Sequence, residues 1–303
     1  MKSPFFSIIL PTYNRAHILP KAIDSLLRQQ YENWELVIVD DGSSDNTKEL
    51  VAAYIDERIR YIYQDNAERS AARNNGIVHS KGRYICFLDS DDYYENNHLQ
   101  IIKEKIELEN NPIAMIFNGV SRETNGQKTP MKTDYLNNSV NPICFFLEAK
   151  ESIIPARVCL STTILEEFRF PLNVNISEDL ILWTQIALKY PILQIEERTV
   201  VYSIHDENST NILNNPFKDQ LSSLKIIFSN PQLKPQIPLR VKFNKLSSCY
   251  KGIGVFYLQK EAYLQVVKHH LISILYNPFS QNTKYKLYTI FVSLKAKLNL
   301  NRK

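Results

Sequence analysis

Glycine is scarce, with seven in 303 residues. No G-x-G-x-x-G follows the first apolar run and no G-x-x-x-x-G-K-[ST] occurs anywhere, so a backbone cradle for phosphate is not expected. The four cysteines, Cys86, Cys144, Cys159 and Cys249, show no C-x-x-C spacing. That argues against a zinc site or a disulfide framework and fits a reducing cytoplasm. The N-terminal run "PFFSIILP" is too short to span a bilayer and lacks a small-residue cleavage site. No later run reaches ~18 apolar residues, so neither an exported nor an integrally membrane-spanning chain is expected. Acid is nearly missing from Gln232 to Lys303, where 13 Lys and Arg face the single Glu261, a net charge of +12. Since the whole chain is +4, residues 1–231 carry −8. The basic part contains no recognisable nucleic-acid module, and its acidic complement argues further against that partner.

What is present is an ordinary globular composition, 44% hydrophobic and 22% charged, arranged in repeated strand–turn–helix steps. Phe6–Leu10 reads as a buried strand, followed by a helix with Leu19, Ala22, Ile23, Leu26 and Leu27 on one face. "WELVIVDDGSSD" repeats the step, with Leu36–Val39 apolar, a turn at Gly42, and a helix over Thr47–Tyr54. "IRYIYQ" is a third strand, Glu68–His79 a helix, "RYICFLD" a fourth strand and "HLQIIKEKIELE" a helix. Alternation of this kind predicts an α/β fold with a Rossmann-like, mostly parallel sheet flanked by helices. Residues 1–216 are expected to form the main domain, its halves meeting near residue 124, and 217–303 a basic helical extension.

In such sheets ligands bind beyond the carboxyl ends of the strands. Thr12, Asp40, Asp41, Asp65, Asp89 and Asp91 all follow strand ends, which predicts one shared crevice. Acidic turn residues also serve as caps, and each aspartate alone can be read that way. A carboxylate cluster repels phosphate, but it can hold a hard divalent cation, Mg²⁺ or Mn²⁺, that bridges to phosphate oxygens. "ICFLDSDD", with three acids in four positions after a strand, is the natural seat for that ion.

Taken together, "SIILPTYNRAHILPKAIDSLLRQQYENWELVIVDDGSSDNT", "AARNNGI", "KGRYICFLDSDD" and "SEDLILWTQIALKYPI" resemble family 2 of the glycosyltransferases, whose nucleotide-sugar-binding fold is called GT-A. The resemblance covers roughly residues 5–205. It implies that Pro11, Thr12 and Tyr13 shape the wall beside the nucleotide base and that Asp41 accepts the ring N–H of a uracil. Arg73 would lie near diphosphate or ribose; the competing reading pairs it with Glu68 or Asp65 on a helix surface. Asp89, with Ser90, would contact the ribose, and Asp91 would ligate the metal in the D-x-D manner, Asp92 supporting. Asp179 would be the general base and Glu178 its orienting neighbour, although acids in a first helical turn, with Ser177 as cap, also suit the helix dipole. The dipole lowers a carboxyl pKa, so desolvation and Glu178 must oppose it if Asp179 is the base. His205 would sit near the metal or diphosphate.

The resemblance implies transfer of a sugar, with inversion, from a nucleoside-diphosphate sugar, UDP favoured, to a glycan or lipid-linked acceptor in cell-surface polysaccharide synthesis. The processive members' Q-x-x-R-W motif and membrane spans are absent, which favours single addition. Residues between Thr124 and Leu160 should shape the acceptor pocket. The alternatives are a metal-dependent nucleotidyltransferase, disfavoured by the glycine-free "LPTYNRAH", and a non-catalytic membrane-associated scaffold. Leu287, Phe291, Leu294 and Leu298, flanked by lysines, form a stripe within 280–303. It can lie on the anionic inner face of the cytoplasmic membrane, or pack on the catalytic domain or a second subunit of a homo-oligomer.

Overall fold

The computed structural model describes residues 3–132, 134–136, 141–205 and 215–300. Parts of two expectations therefore lie outside the described residues: 133 and 137–140 of the acceptor region, and 301–303 of the terminal stripe. In chain order the elements are β1 (Phe6–Thr12), α1 (Leu19–Leu27), β2 (Trp34–Asp40), α2 (Thr47–Ala52), β3 (Ile59–Tyr63), α3 (Glu68–His79), β4 (Tyr84–Phe87), β5 (Tyr93–Tyr94) and α4 (His98–Leu108). There follow β6 (Met115–Thr124), β7 (Gln127–Pro130), α5 (Pro142–Glu148), β8 (Val158–Ser161), α6 (Thr162–Glu167), α7 (Glu178–Ile186), β9 (Ile192–Ser203) and α8 (Pro216–Ser229). The last three are α9 (Leu239–Gln259), α10 (Tyr263–Tyr276) and α11 (Thr283–Leu300).

One curled sheet runs in the order β3-β2-β1-β4-β8-β6-β9-β5, with β7 on β6. The first four strands pair in parallel, as the alternating pattern predicts. Strands buried on both faces read as continuous apolar runs, and β1 is one. Phe6, Ile8 and Leu10 face the core shared with α1 and α4, while Ile9 faces the opposite layer with Ile77 of α3. Beyond β4 the sheet becomes mixed: β8 runs antiparallel to both β4 and β6, and β9 is parallel to β6. The register places Thr12 beside Asp40 and Asp40 beside Tyr63. The acids that follow these strands therefore emerge along one edge.

Gly76 has a packing reason. A Cβ there would lie 2.4 Å from Cγ2 of Ile9 and 3.3 Å from Cγ2 of Val39, so the missing side chain lets α3 lie directly on β1 and β2. That contact fixes the helix carrying Arg73.

The chain falls into two compact units, one of residues 1–173 and 178–205, the other of residues 174–177 and 206–303. In the second, α9 and α10 approach closely at Gly254, where a Cβ would meet the His270 ring at 2.5 Å. Among the described residues no helix is long and apolar enough to cross a membrane.

Candidate active site

The loops after β1 and β2 hold each other in place. The Asp41 amide donates to the carbonyl of Thr12 at 2.9 Å, that of Asn14 to Ser43 Oγ at 2.9 Å, and that of Ala16 to Asp45 Oδ2 at 3.0 Å. Asp40 acts as a cap: Oδ1 receives the Ser43 amide at 2.8 Å and Oδ2 the Tyr61 hydroxyl at 2.6 Å. Asp41 is held differently. Gln64 Nε2 at 2.6 Å and the Ala67 amide at 3.0 Å both donate to Oδ1. Beside it Tyr13 is 49% exposed and the buried Thr12 hydroxyl has no partner. An open ring next to a carboxylate anchored by one oxygen is a geometry able to receive a planar, N–H-bearing group.

α3 positions more of the site than its arginine. Arg73 is 3% exposed and donates to Glu178 Oε1 at 2.8 Å and Asp89 Oδ1 at 2.7 Å. It does not use Glu68 or Asp65, the partners of the surface reading; its own come from α7 and from the loop after β4. Asn74 exchanges two hydrogen bonds with the backbone of Phe170, at 2.9 and 3.0 Å, and Phe170 lies under the Arg73 guanidinium. Asn75 donates to Gln64 Oε1 at 2.7 Å, which in turn orients the amide that holds Asp41. Asn74, Asn75 and Gln64 were not singled out in the sequence. The available signal was a run of polar residues between Ala72 and Gly76.

In the loop after β4, the Asp92 amide donates to the Asp89 carbonyl at 3.1 Å, Ser90 is buried, and Asp89 and Asp91 are half-buried. Asp91 Oδ2 meets Arg15 Nη1 at 3.2 Å and His205 Nε2 at 3.0 Å. Arg15 is a further residue that the sequence reading missed. Asp92 is buried, takes the Ser203 amide at 3.0 Å on one oxygen and leaves the other without a partner. Burial, with the charges of Asp91 and Asp89, pushes its pKa well above the usual carboxylate range.

Asp179 lies in the first turn of α7. Ser177, the expected cap, has φ of 63°, unlike the extended backbone usual for an Ncap residue. Instead the Asp179 carboxylate accepts the Leu180 amide at 2.7 Å. That bond and Arg73 lower its pKa, but burial and the charge of Glu178 outweigh them and push it up to about 7. The two opposing influences required of a base at a helix N-terminus are both present.

Protein donors for a cation are few. Among the described residues no group of three His, Cys, Asp or Glu side chains converges on one point. Asp91 and His205 remain as two donors side by side. This fits Mg²⁺ or Mn²⁺ shared with a substrate diphosphate, since such ions take few carboxylates and complete their shell with phosphate oxygens and water. It does not fit an all-protein cage.

A sequence model described as Glycosyl transferase family 2 matches residues 7–162. The chain belongs to this family. A relative from Escherichia coli, the UDP-Glc:alpha-D-GlcNAc-diphosphoundecaprenol beta-1,3-glucosyltransferase WfgD, is 33% identical over 219 residues, 70% of this chain and 81% of its own length. An uncharacterized glycosyltransferase of Rickettsia felis is 33% identical over 245 residues, 78% of this chain, yet the matched part is only 39% of that protein. For two further Rickettsia relatives the share is 34% and 36%, so the chain spans little more than a third of these proteins. Among solved structures, TarS 1–349 of S. aureus superposes with a TM-score of 0.62 at 17% identity, covering 95% of this chain and 88% of that one. The mannosyltransferase PcManGT of Pyrobaculum calidifontis, in complex with GDP-Man and Mn2+, gives 0.59 at 16% identity, covering 100% and 89%. At these identities the likeness establishes the fold, and the α/β architecture is that of GT-A glycosyltransferases.

Proposed function

We propose that this chain transfers a sugar, with inversion, from a nucleoside-diphosphate sugar to a hydroxyl of a glycan or lipid-linked acceptor in cell-surface polysaccharide synthesis. The observation that carries the reading is Asp179: a half-buried carboxyl raised to about 7 in one compact unit with Asp41, Asp89 and Asp91. A general base works best when its pKa lies near the working pH.

In the reaction, the ionised Asp179 takes the proton of the acceptor hydroxyl as that oxygen bonds to the anomeric carbon. The bond from that carbon to the diphosphate breaks, and its electron pair leaves with the diphosphate. Burial, together with Glu178 fixed by Arg73, keeps Asp179 short of ionisation until the working pH. Asp41 would select the base, UDP being favoured, with Pro11, Thr12 and Tyr13 beside it. Asp89 and Ser90 would meet the ribose, and Arg73 would add positive charge nearby. Asp91 and His205 would hold Mg²⁺ or Mn²⁺, which supplies charge neutralisation for the departing diphosphate. WfgD acts on a diphosphoundecaprenol-linked sugar by its name, which supports a lipid-linked acceptor here.

The test is incubation with a panel of UDP-sugars, Mn²⁺ and a polyprenyl-diphosphate sugar, followed by NMR of the product. UDP release and a product of inverted anomeric configuration are expected. Release of sugar 1-phosphate, with UMP transferred to the acceptor, would instead indicate a nucleotidyltransferase, and no binding or turnover of any nucleotide sugar a scaffold.

A further inference from the structure

The second unit contains two helices built inside out. In α11, the positions turned inward are Lys286, Thr289 and Ser293, spaced i, i+3, i+7, and Lys286 is 1% exposed. Its ammonium donates to Ser247 Oγ at 3.0 Å and Ser280 Oγ at 2.9 Å. On the other side Leu287, Phe291, Leu294 and Leu298, at i, i+4, i+7, i+11, all face solvent, Phe291 with 65% and Leu298 with 62% of its surface exposed. In α10 the pattern recurs in part, with His270 and Ser273 buried beside Val266 and Leu264, Leu271 and Leu275 exposed. A polar seam joins the helices to each other and to α9: Thr289 Oγ1 lies 3.4 Å from His270 Nδ1, and Ser247 and Ser273 exchange hydroxyl-to-carbonyl bonds at 2.8 and 2.6 Å. A water-facing helix of a globular protein shows the opposite arrangement. Within this unit the α11 stripe therefore does not pack inward, which leaves a membrane or a second subunit to cover it.

We propose that the outer face of α10 and α11 docks in the interface of an anionic membrane, lying in its plane. Charge selects this occupant. Neither helix contains an acid, and on helical geometry Lys284 and Lys295 border one edge of the α11 stripe and Lys297 the other. A second copy of the same face would set lysines against lysines, whereas an anionic leaflet accepts them and the apolar stripe together. Tyr285 and Tyr288, both exposed, are amphipathic aromatics of the kind that favours the headgroup level. The same lysines keep α11 from crossing the bilayer, consistent with the lack of any spanning helix among the described residues.

The full chain should co-sediment with vesicles containing anionic phosphatidylglycerol and much less with phosphatidylcholine alone. Each of Lys284→Gln, Lys295→Gln and Lys297→Gln should lower partition about fivefold at low salt. A Phe291→Trp variant should shift its emission to the blue on anionic vesicles only, because the native Trp34 and Trp183 are buried. Phe291→Ser with Leu298→Ser should abolish binding while the melting temperature is retained, these side chains being exposed. Equal binding to both vesicle types, unchanged Trp emission, or a concentration-dependent dimer that the double serine variant disrupts without any vesicle binding would each overturn the proposal.

Discussion

Replacing Asp179 with asparagine should weaken the enzyme and strengthen the fold, and the second effect should depend on pH. In the folded chain the carboxyl is raised from its ordinary 3.8 to about 7. A raised acid destabilises the folded state wherever it must ionise. The penalty is absent below the unfolded value, grows between 3.8 and about 7, and is constant above. At ~1.4 kcal/mol per pH step its ceiling is ~4 kcal/mol, and partial exposure of Asp179 reduces this to roughly 1–2 kcal/mol through solvent screening. The asparagine amide never ionises, so the variant's gain in melting temperature should be larger at pH 8 than at pH 5, by about 2–5 °C for a chain of this size. Meanwhile kcat should fall by ~10²–10⁴ while donor affinity persists. Paired thermal melts and steady-state rates at the two pH values read both effects. A variant that turns over normally, or a thermal gain larger at pH 5 than at pH 8, would show that Asp179 is not the raised base.

Four other outcomes are expected. In the wild type, kcat/KM should rise with pH to a plateau with an apparent pKa near 7, because only ionised Asp179 accepts the proton; a flat profile from about pH 5.5 to 8.5 contradicts this. Asp91→Ala should weaken UDP binding measured calorimetrically with Mn²⁺ and leave binding in EDTA unchanged. Arg73→Met should destabilise by ~3–5 kcal/mol in chemical denaturation, since it leaves Glu178 buried without its partner. Gly76→Ala should lose ~1–3 kcal/mol, read in the same denaturation assay, from overpacking against Ile9.

The parallel half was legible because each strand–turn–helix step carries its own period. Glu68–His79 has the predicted bounds, and helix α2 ends at Ala52, two residues short of the expected Tyr54. β8 and β9 were not read. β9 carries the exposed Glu196 and Glu197 in its middle, and its pairing to β6 shifts register around Gly119, so no single alternation runs through it. At the candidate site, the acids after strands were visible as residues, but their partners were not. Arg73 and Glu178 are 105 positions apart and Arg15 and Asp91 are 76 apart, separations that only the tertiary fold brings together. In α11 the apolar stripe was plain, while the direction it faces depends on Ser247, Ser273 and His270, which lie on other helices.

The turn Arg73-Asn74-Asn75-Gly76 sends four consecutive residues to four different destinations: two carboxylates, a distant main chain, the support of Asp41, and the sheet itself. Such a segment behaves as a hub, so changes within it will combine non-additively and disturb the surroundings of Asp41 and of Asp179, the proposed base-selecting and proton-accepting groups, together. If the proposed roles hold, donor preference can be redesigned at Tyr13, an exposed side chain with slack around it, far more freely than through this helix.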